Sequence, residues 1–456
     1  MPNEPISAAP QPATVPAHSL RSAQAPSTWP TNAEILAALG PWMLQRRWFP
    51  LKGDAAPPLG SLRVIASWEP EEGVRDLVIA ALRGNQAETG HRAGLALLHV
   101  PVVLEAASLD VVEAVGLPAP DLVIVNDEDL TYAVVRPDDT SLSCLAASLG
   151  SLRDPMARAL AWSMLHNLLR DAIIGAPLFV ETVLAHADDE TEPGTLATLL
   201  NQALRVACRY ADPHMRRALL ERLLADDSTE SSKEKKPAVL HGGGGRLRAA
   251  APGSDAQIVR ARAWLEAAGQ ARLIGEAGSA RAAARAREIL DGALPGLELD
   301  ADMRWRALTA LARLGAVSTD ELEAQRKADP TASGVTHHLQ ASSSMPRQDL
   351  KVEVFDRLLG DTALSNDHID ALLAGFAVDA HRELTAAFTL RYLQELPGLW
   401  SGRGQEIATR LVVGLFPACG DESDAQSVED WLAKHPEAPS ALRRLILKSL
   451  DDLRRA

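Results

Sequence analysis

Twelve histidines are the side chains of this sequence with the widest chemical reach, and their neighbours decide what they can do. A peptidase zinc centre on a helix needs His-Glu-x-x-His. Two imidazoles one turn apart share the metal, and the Glu between them takes a proton from the metal-bound water. His18, His91, His99, His166, His186, His214, His241, His337, His338, His368, His381 and His435 all lack a following Glu. No catalytic residue and no metal ligand is assigned on this reading, and no cofactor is expected. His337 and His338 are adjacent, so on a helix they point about 100° apart and do not share a metal. Surface or capping roles are expected for them. His166, His186 and His381 have no carboxylate or Cys at ligand spacing.

Other candidate motifs also stop short of chemistry. His241 with Gly242 to Gly245 has the composition of an oxyanion loop, but no G-x-S-x-G elbow accompanies it, and no Gly-Lys-Ser or Gly-Lys-Thr makes the run a phosphate loop. A glycine linker is the simpler reading. Cys144, Cys208 and Cys419 lie far apart without a C-x-x-C, which argues against a disulfide framework and a thiolate metal site. Asn126-Asp127-Glu128-Asp129 lacks the Gly and distant Glu of a calcium loop and reads as a hairpin turn between Leu122–Val125 and Leu130–Val135.

At 456 residues with a formal charge of -14, the chain is long enough for several domains and too acidic for a broad nucleic-acid footprint or for attraction to anionic lipid. No apolar run reaches the roughly 18 residues that span a bilayer. Few cysteines and no signal-like start point to a soluble, cytoplasmic protein.

These residues need elements to hold them. Residues 1–30, rich in Pro, Ala and Ser, read as a disordered tail. From 31 to 105, a short amphipathic helix (Ile35, Leu36, Leu39, Trp42, Met43) leads into strand-like runs at Leu62–Ala66, Leu77–Leu82 and Leu95–Leu104, a small α+β unit. A junction at 106–120 and a β segment at 121–150 follow. From 151 to 456 the pattern is helical. Asp154-Pro155 starts one helix whose apolar face is read as Met156, Leu160, Met164 and Leu168. Ser318 and Glu321 have capping-box spacing, Gly315 follows Leu308, Leu311 and Leu314 as a stop, and Leu442, Leu445, Ile446, Leu450 and Leu453 form a stripe. Helices of this length with short connections predict a degenerate stack of antiparallel pairs. The fold class is therefore mainly α, a HEAT-like array preceded by a short β segment and a small α+β domain. Residues 226–250, with Ser231 to Lys236 and the glycine run, are expected to be a flexible insertion.

Pro120 to Ala133, Ala157 to Trp162, Arg170-Asp171-Ala172, Pro252 to Asp255, Asp302-Met303-Arg304-Trp305, Asp329-Pro330-Thr331-Ala332-Ser333-Gly334, Ala374-Gly375-Phe376, Val412 to Pro417 and Trp431-Leu432-Ala433 keep one order over about 340 residues. In that order they resemble the C-terminal domain of aminopeptidase N, a gluzincin family. The resemblance implies a HEAT-like domain that closes over a thermolysin-like catalytic domain and walls the peptide chamber. Zinc is that family's metal, but its ligands, its G-[AG]-M-E-N motif and its oxyanion Tyr have no matching positions here, and the insertion at 226–250 departs from it.

Trp42 to Gly53, with Leu62-Arg63-Val64 and His99 to Leu104, is similar to the N-terminal cap domain of maltokinases. That family phosphorylates maltose with ATP and magnesium, and its phosphate-binding and catalytic-loop motifs do not follow. Trp48, Phe49 and Lys52 are the candidate cap-domain docking residues. Two resemblances joined near Leu104 to Pro118 suggest a gene fusion or a deletion product. The leading expectation is a non-catalytic domain for peptide-chamber or protein interaction. Its partner would be a peptide or a protein such as a separate catalytic chain, with no nucleic acid and no membrane. One alternative is a zinc aminopeptidase whose catalytic part is missing, divergent or supplied by another chain. A second is a maltokinase-like cap or regulatory protein. No residue of the concave face is identified by sequence.

Overall fold

A computed structural model describes residues 63–65, 75–84, 94–104, 108–117, 119–130, 133–225 and 242–456. The expected tail at 1–30 and the helix around Ile35 to Met43 lie outside the described residues. The three expected strand runs form β1 (Arg63–Ile65), β2 (Arg75–Gly84) and β3 (Gly94–Leu104), joined by β4 (Ser108–Asp110) and β5 (Leu122–Val125). β1 pairs with β4, and the larger antiparallel sheet has the order β3-β2-β5.

Period-two alternation makes β5 a joint. Val123 and Val125 share a small core with Ile79, Val111 and Ala114, while Leu122 and Ile124 enter the main helical core. The N-terminal strands and the helices are therefore welded through one strand.

The hairpin expected at 122–135 does not form. Asn126, Glu128 and Asp129 do turn the chain, with φ of 62°, 69° and 54°. Short polar side chains bear that conformation best, and Glu128 is the exception among them. Among the described residues no strand follows, and the outer edge of β5 is served by a helix: Val123 N–H donates to Ser141 Oγ at 2.9 Å. Leu130 and Val134 consequently stay exposed.

The helices, in chain order, are α1 (Asp139–Ser148), α2 (Pro155–Arg170), α3 (Ala176–His186), α4 (Pro193–Arg209), α5 (Pro213–Leu224), α6 (Gly243–Ala249), α7 (Asp255–Ala268), α8 (Glu276–Leu290), α9 (Ala301–Leu314), α10 (Thr319–Ala328), α11 (Ala332–Ser343), α12 (Gln348–Gly360), α13 (Asn366–Phe376), α14 (Arg382–Thr385), α15 (Thr389–Gly402), α16 (Gln405–Gly414), α17 (Glu422–Lys434) and α18 (Ser440–Arg455). α4, α7, α9, α11, α13, α16 and α18 each touch the next, forming one layer. α5 packs on α4, and α8, α10, α12, α15 and α17 each pack on the helix that follows, forming the second. Pairs of this kind bury an apolar face only by stacking on their neighbours, as in solenoids.

Local signals set the helix ends. Asp154 accepts from Met156 N–H ahead of Pro155, Ser318 accepts from Glu321 N–H, and Gly315 closes α9 at φ 72°. The apolar face of α2 is rotated from the expected one. Ala157, Ala161, Met164, Leu165 and Leu168 are buried and Met156 is 48% exposed, because Met156 sits in the first turn, beyond the packed neighbours.

Part of the expected insertion is ordered: Gly243–Ala249 is helical, while 226–241 lie outside the described residues. Composition misled here because tertiary contact supplies the reason for the glycines. A Cβ on Gly242, Gly243 or Gly244 would strike backbone carbonyls at the end of α5, and Gly245 N–H donates to Ala225 O at 3.0 Å.

Apolar packing falls into two large clusters. One runs from Leu122 to Ala341, and the other from Val354 to Leu450 around Phe355, Phe376 and Phe388, whose ring centroids are 4.7 to 5.6 Å apart. α11 is where they meet: Ala341 belongs to the first, and Leu339 packs against the second.

Candidate functional site

The start of α11 is fixed by Asp329. Its carboxylate accepts from Trp305 Nε1 at 2.8 Å and from Thr331 Oγ1 at 2.6 Å, and its carbonyl accepts from Arg326 at 3.0 Å. Thr331 Oγ1 in turn accepts from Gly334 N–H at 2.9 Å, which caps the helix. A side chain at Gly334 would collide with Asp329. The hydrogen bonds from Thr331 and Trp305 hold the Asp329 carboxyl below its usual range. Two sequence islands, 302–305 and 329–334, thus meet at one buried joint.

The far end of α11 is pinned to α13. Gly375 leaves no room for a Cβ against Ser343, and Lys351 Nζ donates to Ser343 O at 2.9 Å and Gly375 O at 2.5 Å. That amine is fully buried at the C-terminal ends of both helices, where unpaired carbonyls collect negative potential. Burial pushes it down to about 7, with the Arg313 cation adding to the effect.

Between the fixed start and the pinned end, α11 and α13 flank an open groove of about 870 Å³. Val335, Thr336, His337 and Gln340 line one wall; Asp367, His368, Asp370 and Ala371 line the other. His337 rests 6.3 Å from the buried Trp305 ring and 4.0 Å from Asp302. Its Nδ1 is shielded from solvent without a partner among the described residues. Asp302 also binds Arg306 at 2.8 Å and Arg262 at 2.9 Å. Burial alone would raise its carboxyl, but these cations hold it below the ordinary range. Asp370 is shared with Arg410. His338 bonds Glu323 at 3.0 Å and Ser342 at 3.2 Å, and its ring, like that of His337, lies beside Trp305, at 6.1 Å.

Ser365 Oγ accepts from His368 N–H at 3.2 Å and so caps α13. Cys144 and Cys419 are pushed up to about 11 and about 12 by burial, so both thiols stay protonated. Among the described residues, no group of three or more His, Cys, Asp or Glu side chains is placed to hold a metal. No helix of the described residues is long and apolar enough to cross a membrane.

Trp48, Phe49 and Lys52, the candidate docking residues, lie outside the described residues, as does His241. The acidic tetrad gathers Asp127 and Glu128 around His99, at 3.2 and 3.4 Å, and so tethers β3 to the turn after β5. His381 is buried and its Nε2 bonds Arg313 O at 2.8 Å. Asp367, His368 and Asp370 were not singled out by sequence reading. Their only signal is three polar residues at N-terminal positions of a helix, which a solvated face also shows.

The family described as ERAP1-like C-terminal domain matches residues 122–455. Over 347 residues the chain is 33% identical to the protein named Aminopeptidase N of Streptomyces lividans, covering 75% of this chain and 38% of that protein. The chain thus spans less than two fifths of that relative's length. The structure of Legionella pneumophila aminopeptidase A in complex with aspartic acid aligns with a TM-score of 0.42 and 12% identity, over 86% of this chain and 48% of that one.

Proposed function

We propose, because this chain belongs to the family of ERAP1-like C-terminal domains, that its helical array holds peptides without cleaving them, alongside a zinc peptidase body. The observation that carries this reading is the α11–α13 groove. It is open, with a volume of about 870 Å³, and its lining offers imidazole and amide groups to a peptide backbone and carboxylates to a basic side chain. With a chain charge of -14, contact with cationic peptides is favoured and weakens with salt.

Titration calorimetry of the full chain with basic, neutral and acidic peptides tests it. Basic peptides should bind best, and Asp367→Asn with Asp370→Asn should weaken them about tenfold, since two exposed charges contribute roughly 0.2–1 kcal/mol each. Absence of heat with every peptide would remove the reading.

A second reading, motivated by the 33% identity to the Streptomyces aminopeptidase, is that the domain works with zinc chemistry supplied by a separate catalytic chain. Zinc content and release of an aminoacyl chromophore, measured with and without such a chain, distinguish the two. Stoichiometric zinc with turnover by the purified chain alone would overturn the non-catalytic proposal.

A further inference from the structure

Among the described residues, the two apolar clusters pack most closely at α11 and α13; beside that joint the short turn at Ala271–Ile274 packs on Asp379–His381, His381 Nε2 bonds Arg313 O at 2.8 Å and Ala380 N–H donates to Gln270 Oε1 at 3.0 Å. Ionic contacts add to these: Arg209 grips Asp379 through two nitrogens at 2.9 to 3.2 Å, and Cys419, from the same half as Asp379, donates to that carboxylate at 2.9 Å. Another ionic set involves the last helix of the array. There α18 returns to the C-terminus of α2: Arg170 binds Asp452 at 2.6 Å, and Arg455 binds Asp171 at 2.9 Å and donates to Arg170 O at 3.3 Å. Arg136 adds a second partner to Asp171 at 2.8 Å. These end contacts are ionic and partly exposed, so they screen with salt and cost little to open. The pin at Gly375, Ser343 and Lys351, by contrast, is buried and close-packed.

We propose that residues 348–455 form a hinged half that swings on the α11–α13 pin and is held shut by the ionic latch between α18 and α2. The groove lies beside the pivot, so opening the latch alters the spacing of its walls. A peptide held there, on the reading above, braces the hinge. The latch itself is tested without any peptide, so the two proposals fail separately.

The experiment is hydrogen exchange with mass-spectrometric readout on the full chain. Raising sodium chloride from 0.05 to 1 M should speed exchange about tenfold in α16 and α18 and leave α4 and α7 unchanged. Arg170→Glu with Arg455→Glu should do the same at low salt. The exchanged pair Arg170→Asp with Asp452→Arg should restore slow exchange, and Arg217→Glu, at an exposed pair away from the seam, should change nothing there. Equal acceleration in α4 and α18 would mean that the halves open as one unit and would overturn the hinge. Exchange in α18 that ignores both salt and Arg170→Glu with Arg455→Glu would overturn the latch. Because the salt series uses the unaltered protein, a variant that fails to fold leaves the test intact.

Discussion

Replacing Lys351 by Met isolates one buried proton. In the folded chain the amine is pushed down to about 7, whereas an unfolded lysine titrates near 10.5. Below pH 7 both states carry the proton, and the penalty of burying an ammonium is felt in full. Between about 7 and 10.5 the unfolded chain holds a proton that the folded chain has released, so stability rises with pH through that window. Integrating the difference from pH 7 to 9 gives about 2 kcal/mol. The buried thiols act in the opposite sense above pH 9, because the folded state keeps protons that unfolded thiols lose. The comparison therefore stops at pH 9 and is made against the variant, in which those terms cancel. Urea unfolding followed by far-UV circular dichroism at pH 7 and 9 should show a gain about 2 kcal/mol larger in the wild type than in Lys351→Met. Equal gains in both proteins would refute the claim that this amine titrates in the folded core.

Gly375→Ala should cost about 1–3 kcal/mol in the same assay, because the new methyl must push α13 away from Ser343. Unchanged stability would mean that the two helices have slack. Trp305→Phe, which leaves Asp329 without its indole donor, should cost about 1–3 kcal/mol, measured by thermal and urea unfolding together. His381 is held down to about 3 by burial and by the Lys351 cation, so wild-type stability should fall by about 2 kcal/mol from pH 7 to 5 as the unfolded imidazole takes up a proton. His381→Gln should lose that share of the fall; an identical pH dependence in the variant would sink the argument.

Much of the helical architecture was written in local signals. Asp154 before Pro155, Ser318 before Glu321 and Gly315 after Leu314 each end a helix for a reason carried by the residues themselves. What sequence could not convey was set by contacts between distant segments. The run Leu130–Val135 has strand composition, yet Ser141 satisfies the edge of β5, and the described residues of that run join no ladder. Gly242 to Gly244 have linker composition, yet the carbonyls at the end of α5 demand their bareness. The groove was the least legible part, because Asp367, His368 and Asp370 become a wall only when α11, some thirty residues earlier, is laid beside them. Trp305 and Asp329 did leave a trace as separate family-like islands, but the bond between them did not.

Ala225 and Gly245 are joined by a backbone hydrogen bond across a gap of twenty positions. Departure and return therefore share one doorway, and polypeptide threaded through it has no distance to cover. Lengthening such an excursion costs only the slowly growing entropy of closing a larger ring, about 0.6 kcal/mol per doubling. The protein thus offers a natural grafting point, at which an epitope or fluorescent reporter can be spliced between 226 and 241 while the stacked scaffold on either side keeps its registration.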